Sequence, residues 1–231
     1  FRILDSDGVL SNRHLIANNI FYYIQNIDQT QSIYIFNSNY VDILHNSIVV
    51  NDGRVSFDVI YGMDLRSSSN LIVRNNLFQF DRNVPNSNNH QFISIYSVFN
   101  SSFDYNNYYL GTDFNTFGGI QNMFDFSNFA NWQSSGYDAN GSQINARLAS
   151  NYIPTNSSFD NKGTSTSVNE DFFGTQRSTT TPDIGAVEFT PQQNDLGLTA
   201  IYLPESSCGF PDAQTLRFEI TNFGIDSIYN G

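Results

Sequence analysis

Four segments of this chain repeat one pattern at intervals of roughly thirty residues: Leu15–Ile20 (LIANNI), Ile43–Ile48 (ILHNSI), Ile72–Leu77 (IVRNNL) and Phe103–Tyr108 (FDYNNY). Each sets an apolar residue three positions before an asparagine and an apolar or aromatic residue two positions after it. Aligned this way, the column is Asn18, Asn46, Asn75 and Asn106, at steps of 28, 29 and 31. A second register precedes it: Ile33/Ile35, Met63/Leu65 and Ile93/Ile95, each pair 30 residues from the next. A period of this length implies one supersecondary unit per repeat, stacked on its neighbours, because a single unit cannot bury its apolar face alone.

Within the units, stretches such as Ser32–Asn37 (SIYIFN) and Gly62–Ser67 (GMDLRS) alternate with period two, as half-buried strands do. Short polar turns follow them, at Ser38-Asn39, Ser67–Asn70 and Asn100–Ser102. The polar stretch 81–90 reads as an exposed loop. Helical periodicity is weak throughout. Strands recurring without intervening helices at this period fit an all-β chain folded as a right-handed parallel β-helix. In such a stack, inward amides recur about 4.8 Å apart and form a hydrogen-bonded ladder, so Asn18, Asn46, Asn75 and Asn106 are expected as structural ladder residues.

The net charge of −12, with Lys162 the single lysine beside nine arginines, leaves no basic patch for nucleic acid. It also disfavours anionic polysaccharides unless metal ions bridge. No run approaches the length of about 18 apolar residues that spans a membrane, so no membrane insertion is expected. The chain opens at Phe1 in apparent strand without the n-region of a signal peptide, and reads as a piece of a longer polypeptide. Cys208, the single cysteine, is either a small buried thiol or one half of a pair completed elsewhere.

If Ile33/Ile35 and their equivalents face inward, two columns face outward: Tyr34, Asp64, Ser94 and Phe36, Arg66, Tyr96. Aromatic faces beside Asp and Arg suit sugars, with rings stacking on apolar sugar faces and charged groups binding hydroxyls. These six residues are the expected ligand-binding set, unless neighbouring segments pack over them. A catalytic reading rests on Asp64 with Arg66, helped by His90 or Asp58. A glycosidase needs two carboxylates about 5–5.5 or 6.5–9.5 Å apart, and no tight same-face pair stands out. His14, His45 and His90 lack metal-ligand spacing, and no cofactor is expected apart from Ca²⁺. Its candidate positions are Asp138 and Asn140, with Asp160–Gly163 (DNKG) as a second turn; neither continues as an EF-hand. Phosphate-cradle, G-x-S-x-G, H-E-x-x-H and C-x-x-C patterns are absent from the sequence.

The stretch Trp132–Asn140 (WQSSGYDAN), then Asp171-x-x-Gly174-x-x-Arg177, then Pro182–Phe189 (PDIGAVEF), resembles the C-terminal end of secreted bacterial right-handed β-helix proteins. The resemblance covers residues 1–189 and implies Asp171, Arg177, Asp183 and Glu188 as structural, with Arg177 pairing a carboxylate where the chain seals the open end of the stack. After a polar linker at 190–194, residues 195–231 are similar to the start of immunoglobulin-like modules common on surface proteins of the Bacteroidetes. These resemblances imply an extracellular or cell-surface location. The resemblance bears on fold and secretion more than on chemistry; the leading expectation is a non-enzymatic, rigid adhesive or carbohydrate-contacting segment, with polysaccharide or cell-surface glycan and further domains of the same chain as partners. The alternatives are a polysaccharide lyase or glycoside hydrolase with an active groove on the strand surface, and a purely structural spacer.

Overall fold

The thirty-residue period is realised as three short strands per repeat. A computed structural model describes residues 1–22, 29–50, 59–81, 90–111, 119–121, 124–202 and 216–227. The first rung holds β1 (Arg2–Leu4), β2 (His14–Ala17) and β3 (Ile20–Tyr22), and the second holds β4 (Gln29–Phe36), β5 (Val41–Leu44) and β6 (Ser47–Val50). The third holds β7 (Val59–Arg66), β8 (Ile72–Arg74) and β9 (Leu77–Phe80), and the fourth β10 (His90–Tyr96), β11 (Ser102–Asp104) and β12 (Asn107–Leu110). Every third strand pairs in parallel, which makes three sheets. The first is β1-β4-β7-β10 continued by β13 (Gly119–Gln121), with β14 (Phe124–Asp125) antiparallel at its edge. The second is β2-β5-β8-β11 and the third β3-β6-β9-β12. The chain is therefore dominated by β-structure, with parallel sheets stacked in three strand columns.

The register explains the core. Ile33, Met63 and Ile93 stand side by side on adjacent strands, as do Ile35, Leu65 and Ile95, and all six are buried. Ile43 and Val73 from the second sheet, and Ile48, Phe78 and Tyr108 from the third, meet them in one apolar cluster. Each such side chain contributes about 1.5–3 kcal/mol by burial.

Between the second and third sheets the chain turns within two residues. The first of each pair is left-handed: Asn18, His45, Asn75 and Tyr105 have φ of 56°, 52°, 55° and 57°. Asn and His are among the residues that tolerate that region best. The second of each pair carries the ladder. Asn19 Nδ2 donates to Asn46 Oδ1 (2.9 Å), Asn46 to Asn76 (3.0 Å), Asn76 to Asn106 (2.9 Å), and Asn106 to Asp138 Oδ1 (2.7 Å). Asn46 and Asn106 stand in the ladder as expected, but Asn18 and Asn75 do not; their neighbours Asn19 and Asn76 do. Where two asparagines adjoin, a letter pattern can slide by one. Strand pairing fixes the steps at 27, 30 and 30.

The far end of the stack is closed by residues 124–142. Helix α1 (Phe129–Ser134) starts from an Asn128 cap and buries Trp132, which lies 4.3 Å from the Tyr137 ring in a stacked arrangement and edge-on to Tyr108. Asp138 sits beneath it as the last member of the ladder.

The first part of the terminal motif, Trp132–Asn140, lies at that end, whereas Asp171, Arg177, Asp183 and Glu188, expected at the seal, run along the side. Residues 142–189 lie over the third sheet and its left-handed corner: Ser142 bonds Asn107, Ala146 bonds Gln79, Ala186 bonds Ser47, and Arg177 bonds Asn18. Leu77, Ala146, Phe159 and Ile184 form a second apolar cluster there. Consequently β6 and β9 are buried at every position. Beyond this strap, β15 (Leu196–Tyr202) and β16 (Arg217–Asn222) form an antiparallel hairpin with Leu198, Ile201, Phe218 and Ile220 exposed. The Arg147 guanidinium lies 3.6 Å over the Phe223 ring. Cys208 lies outside the described residues.

Candidate functional site

Among the described residues the strap covers β6 and β9 of the third sheet and leaves side chains exposed on the outer faces of the first and second. On the second, a cleft of about 390 Å³ is lined by Leu10, Arg13, Tyr40, Asn70, Asn100 and Ser102, among others. Its one arginine is occupied within the protein: Arg13 pairs with Asp42, donates to Asn70 O and lies over the Tyr40 ring. That cleft offers a ligand amides and hydroxyls.

The first sheet is built differently, because its strands break the period-two rule. A Cβ on Gly62 would sit 2.8 Å from the Phe78 ring in the core, and Phe92, its register partner, packs on Phe78, Phe80 and Tyr108. The next residues, Met63 and Ile93, are also fully buried. Two consecutive positions on each strand thus face inward. The outward residues on either side of the break lean towards each other: Gln31 Nε2 donates to Asp64 Oδ2 at 2.6 Å. Glycine at 62 is required because a Cβ would also meet Phe92 O at 2.5 Å.

Asp64 is the centre of this concave corner. Its Oδ1 accepts from Arg66 Nε at 2.9 Å, and the carboxylate is 0% exposed. The expectation that the Tyr34–Asp64–Ser94 column is free to touch a ligand is therefore corrected for two members. Asp64 and Ser94 are buried, and Tyr34 is half-buried with Arg2 over its ring. The other column is open. Phe36, Arg66 and Tyr96 are register partners on β4, β7 and β10, and expose 37%, 40% (side chain) and 42%. The hydrogen bond that Arg66 donates to Asp64 raises the pKa of Arg66 above the ordinary guanidinium value, and Tyr34 and Tyr61 add to the effect. Among the described residues the Arg66 guanidinium bonds Asp64 alone, through Nε, and its 40% exposed side chain stands in register between Phe36 and Tyr96.

Sequence reading missed Gln31 and Tyr61. The detectable signal was the paired apolar Phe92-Ile93, where strict alternation predicts one inward residue. The catalytic pairing of Asp64 with Arg66 places a buried carboxylate against a guanidinium. Among the described residues no second carboxylate contacts Asp64, and its two partners already engage both oxygens. Asp58 and the His90 side chain lie outside the described residues.

The expected Ca²⁺ pair is not assembled. Asp138 Oδ1 accepts from Asn106 Nδ2 and N, and Oδ2 from Tyr108 Oη (2.8 Å) and Trp132 Nε1 (3.0 Å). Four donors fill the lone pairs a cation would need, and burial lifts this carboxyl to about 6. Asn140 bonds Asp104 instead. Asp160, from the second expected turn, accepts from Asn161. Among the described residues no group of three or more His, Cys, Asp or Glu side chains is placed to hold a metal ion.

The strap contains a buried polar clasp. Arg177 donates to Glu188 Oε2 (3.1 Å), Gly185 O and Asn18 Oδ1, while Asp171 accepts from the Phe173, Thr175 and Glu188 amides. Burial pushes Asp183 up to about 7 and, with Arg177 nearby, His45 down to about 3. Every one of these groups bonds within the protein, so the clasp holds structure. Comparison with protein families, curated proteins and solved structures finds no match to this chain.

Proposed function

We propose that the three parallel sheets form a right-handed parallel β-helix, and that the outer face of its first sheet is the glycan-contacting surface of an extracellular, non-enzymatic bacterial protein. Parallel strands joined by crossovers adopt the right-handed connection almost without exception, which supports the handedness. The observation that carries the function is the Phe36–Arg66–Tyr96 column: two exposed rings flanking a guanidinium held from behind by buried Asp64. Rings offer apolar faces for sugar C–H groups, and the free guanidinium nitrogens donate to hydroxyls. The rungs hold all three at fixed spacing, so little ordering entropy is lost on binding.

The same geometry disfavours hydrolysis. Asp64 is shielded from solvent and engaged by Gln31 and Arg66, whereas a two-carboxylate mechanism needs a second acid across the scissile bond. A pure spacer has no need for an open aromatic column backed by a buried ion pair. The test is a glycan panel probed with the whole chain. Tyr96→Ala and Phe36→Ala should each weaken binding by about 3–10-fold, the worth of one aromatic contact. New reducing ends or unsaturated uronates would move the assignment to an enzyme. Absence of any bound glycan would leave the spacer.

A further inference from the structure

The end cap and the strap meet at one tight turn, residues 138–141. Asp138, the last ladder residue, has φ of 47°, and Gly141 N donates to Asp138 O at 2.9 Å across the turn. The chain then joins the last rung through Ser142, whose N donates to Asn106 O and whose O accepts from Tyr108 N. Position 141 admits glycine alone. A Cβ there would lie 2.8 Å from Asp138 Cβ and 3.0 Å from Asn106 O, which leaves no space for a side chain.

The residue ahead of that glycine is Asn140, and this is the one Asn-Gly pair among the described residues. Asn140 is exposed, and Asp104 on β11 holds it: Asn140 N donates to Asp104 Oδ1 at 2.8 Å, and Nδ2 to Oδ2 at 2.9 Å. A backbone nitrogen reaches the amide carbon of the preceding asparagine most easily when its own residue is glycine, because no Cβ obstructs the approach and the backbone turns freely. Packing at Asp138 and Asn106 therefore demands, at 141, the residue that leaves Asn140 chemically vulnerable.

We propose that Asn140 is a deamidation site, and that its conversion loosens the junction between the cap and the last rung. The Gly141 backbone nitrogen gives up its proton and bonds to Asn140 Cγ. The Cγ–Nδ2 bond breaks, ammonia leaves, and a cyclic imide remains. Water then opens the imide at one carbonyl to give aspartate, or at the other to give isoaspartate. Water is the sole co-reactant, and nothing is oxidised or reduced. The attack requires Gly141 N–H to leave Asp138 O and the Asn140 amide to leave Asp104, so it proceeds through opening of the turn. Both products disturb the closed state. Aspartate sets a second carboxylate against Asp104 where a donor stood, and isoaspartate adds a carbon to the main chain beside Gly141, which Asp138 and Asn106 hem in. The site is separate from the first sheet and independent of any glycan bound there.

The whole chain, held in mildly alkaline buffer and mapped by proteolytic mass spectrometry, should show amide-to-acid conversion at Asn140 ahead of Asn100. Asn100 is also exposed but is followed by serine. In guanidinium chloride, where no turn has to open, conversion at Asn140 should run about tenfold faster or more. Asn140→Asp reproduces one product. Its Trp132 unfolding midpoint should fall, and amide exchange in β11 and β12 should quicken by about 2–10-fold, the worth of one lost hydrogen bond. Combining Asn140→Asp with Asp104→Asn returns a donor opposite an acceptor and should recover most of that loss. An unconverted Asn140 in folded chain whose Asn100 has converted would overturn the site. A parent-like midpoint and exchange in Asn140→Asp would overturn the loosening.

Discussion

The ladder makes a quantitative claim about one side chain. Asn76 Oδ1 accepts both Asn46 N and Asn46 Nδ2 at 3.0 Å, and its Nδ2 donates to Asn106 Oδ1, Ile43 O and Arg74 O. In Asn76→Ala, Asn46 Nδ2 retains Ile16 O and Leu44 O, and Asn106 Oδ1 retains the Asn76 backbone N–H. The Asn46 backbone N–H is left without an acceptor in a fully buried site. A stranded buried donor costs about 1–3 kcal/mol, and the lost bonds to Ile43 and Arg74 about 1 kcal/mol each, for a total of about 3–5 kcal/mol. Against a typical stability of about 5–15 kcal/mol, this is a large fraction. Equilibrium urea unfolding followed by fluorescence is well suited, because Trp132 is the single tryptophan and is buried beside the ladder's end. Asn39→Ala is the control. Its amide also bonds between rungs, to Asp7 and Ser69, but near the surface, so it should cost about 0.5–1 kcal/mol. If Asn76→Ala costs no more than Asn39→Ala, the ladder adds nothing beyond an ordinary surface amide and the argument fails.

Two further perturbations follow from the same geometry. Gly62→Ala should destabilise by about 1–3 kcal/mol and loosen the Asp64 corner, because the new Cβ lands 2.5 Å from Phe92 O; a melting temperature equal to the parent's would contradict the inward bend. His45 accepts from Asn75 through Nε2 and bonds Asp183 O through Nδ1, an arrangement that only the neutral ring satisfies, and its pKa is depressed to about 3. A depressed base loses stability as pH falls below its unfolded value near 6.5, so the parent should weaken relative to His45→Asn by about 1.4 kcal/mol per pH unit down to about pH 3. Asp138 and Asp183, raised to about 6 and 7, act in the opposite sense and favour the folded state as pH falls towards 4. They are common to both proteins, so the difference between parent and variant isolates His45; a pH-independent difference would refute its neutral assignment.

What the sequence made legible was local and periodic. The inward pairs Ile33/Ile35, Met63/Leu65 and Ile93/Ile95 recur with one spacing, and that spacing is the strand register itself. The ladder was half legible, since only Asn46 stands without an adjoining asparagine, while Asn18-Asn19, Asn75-Asn76 and Asn106-Asn107 each present two choices. Only the register decides between neighbouring amides, and register depends on all three sheets at once. The strap was not legible, because no periodicity links Asn18 to Arg177 or His45 to Asp183, which are 159 and 138 residues apart. Asp138 illustrates the same limit. Its turn sequence resembles a cation loop, yet its surroundings supply four hydrogen-bond donors and leave a cation no lone pair.

The strap's position bears directly on where a ligand can bind. It buries β6 and β9 of the third sheet on both faces, and Arg13 is consumed on the second sheet, so the guanidinium between exposed rings is that of the first. Strand spacing then sets the scale of that surface. Phe36 and Tyr96 lie on strands two apart, which places their backbones about 10 Å from each other with Arg66 midway. On the proposed function, a sugar chain would lie along the stacking axis, across the strands, with Arg66 reaching hydroxyls between two stacked residues. Asp64 contributes from beneath: it holds Arg66 through Nε alone and does not bond the two terminal nitrogens. The buried carboxylate therefore acts by positioning Arg66, which is the role open to a group with no exposed surface of its own.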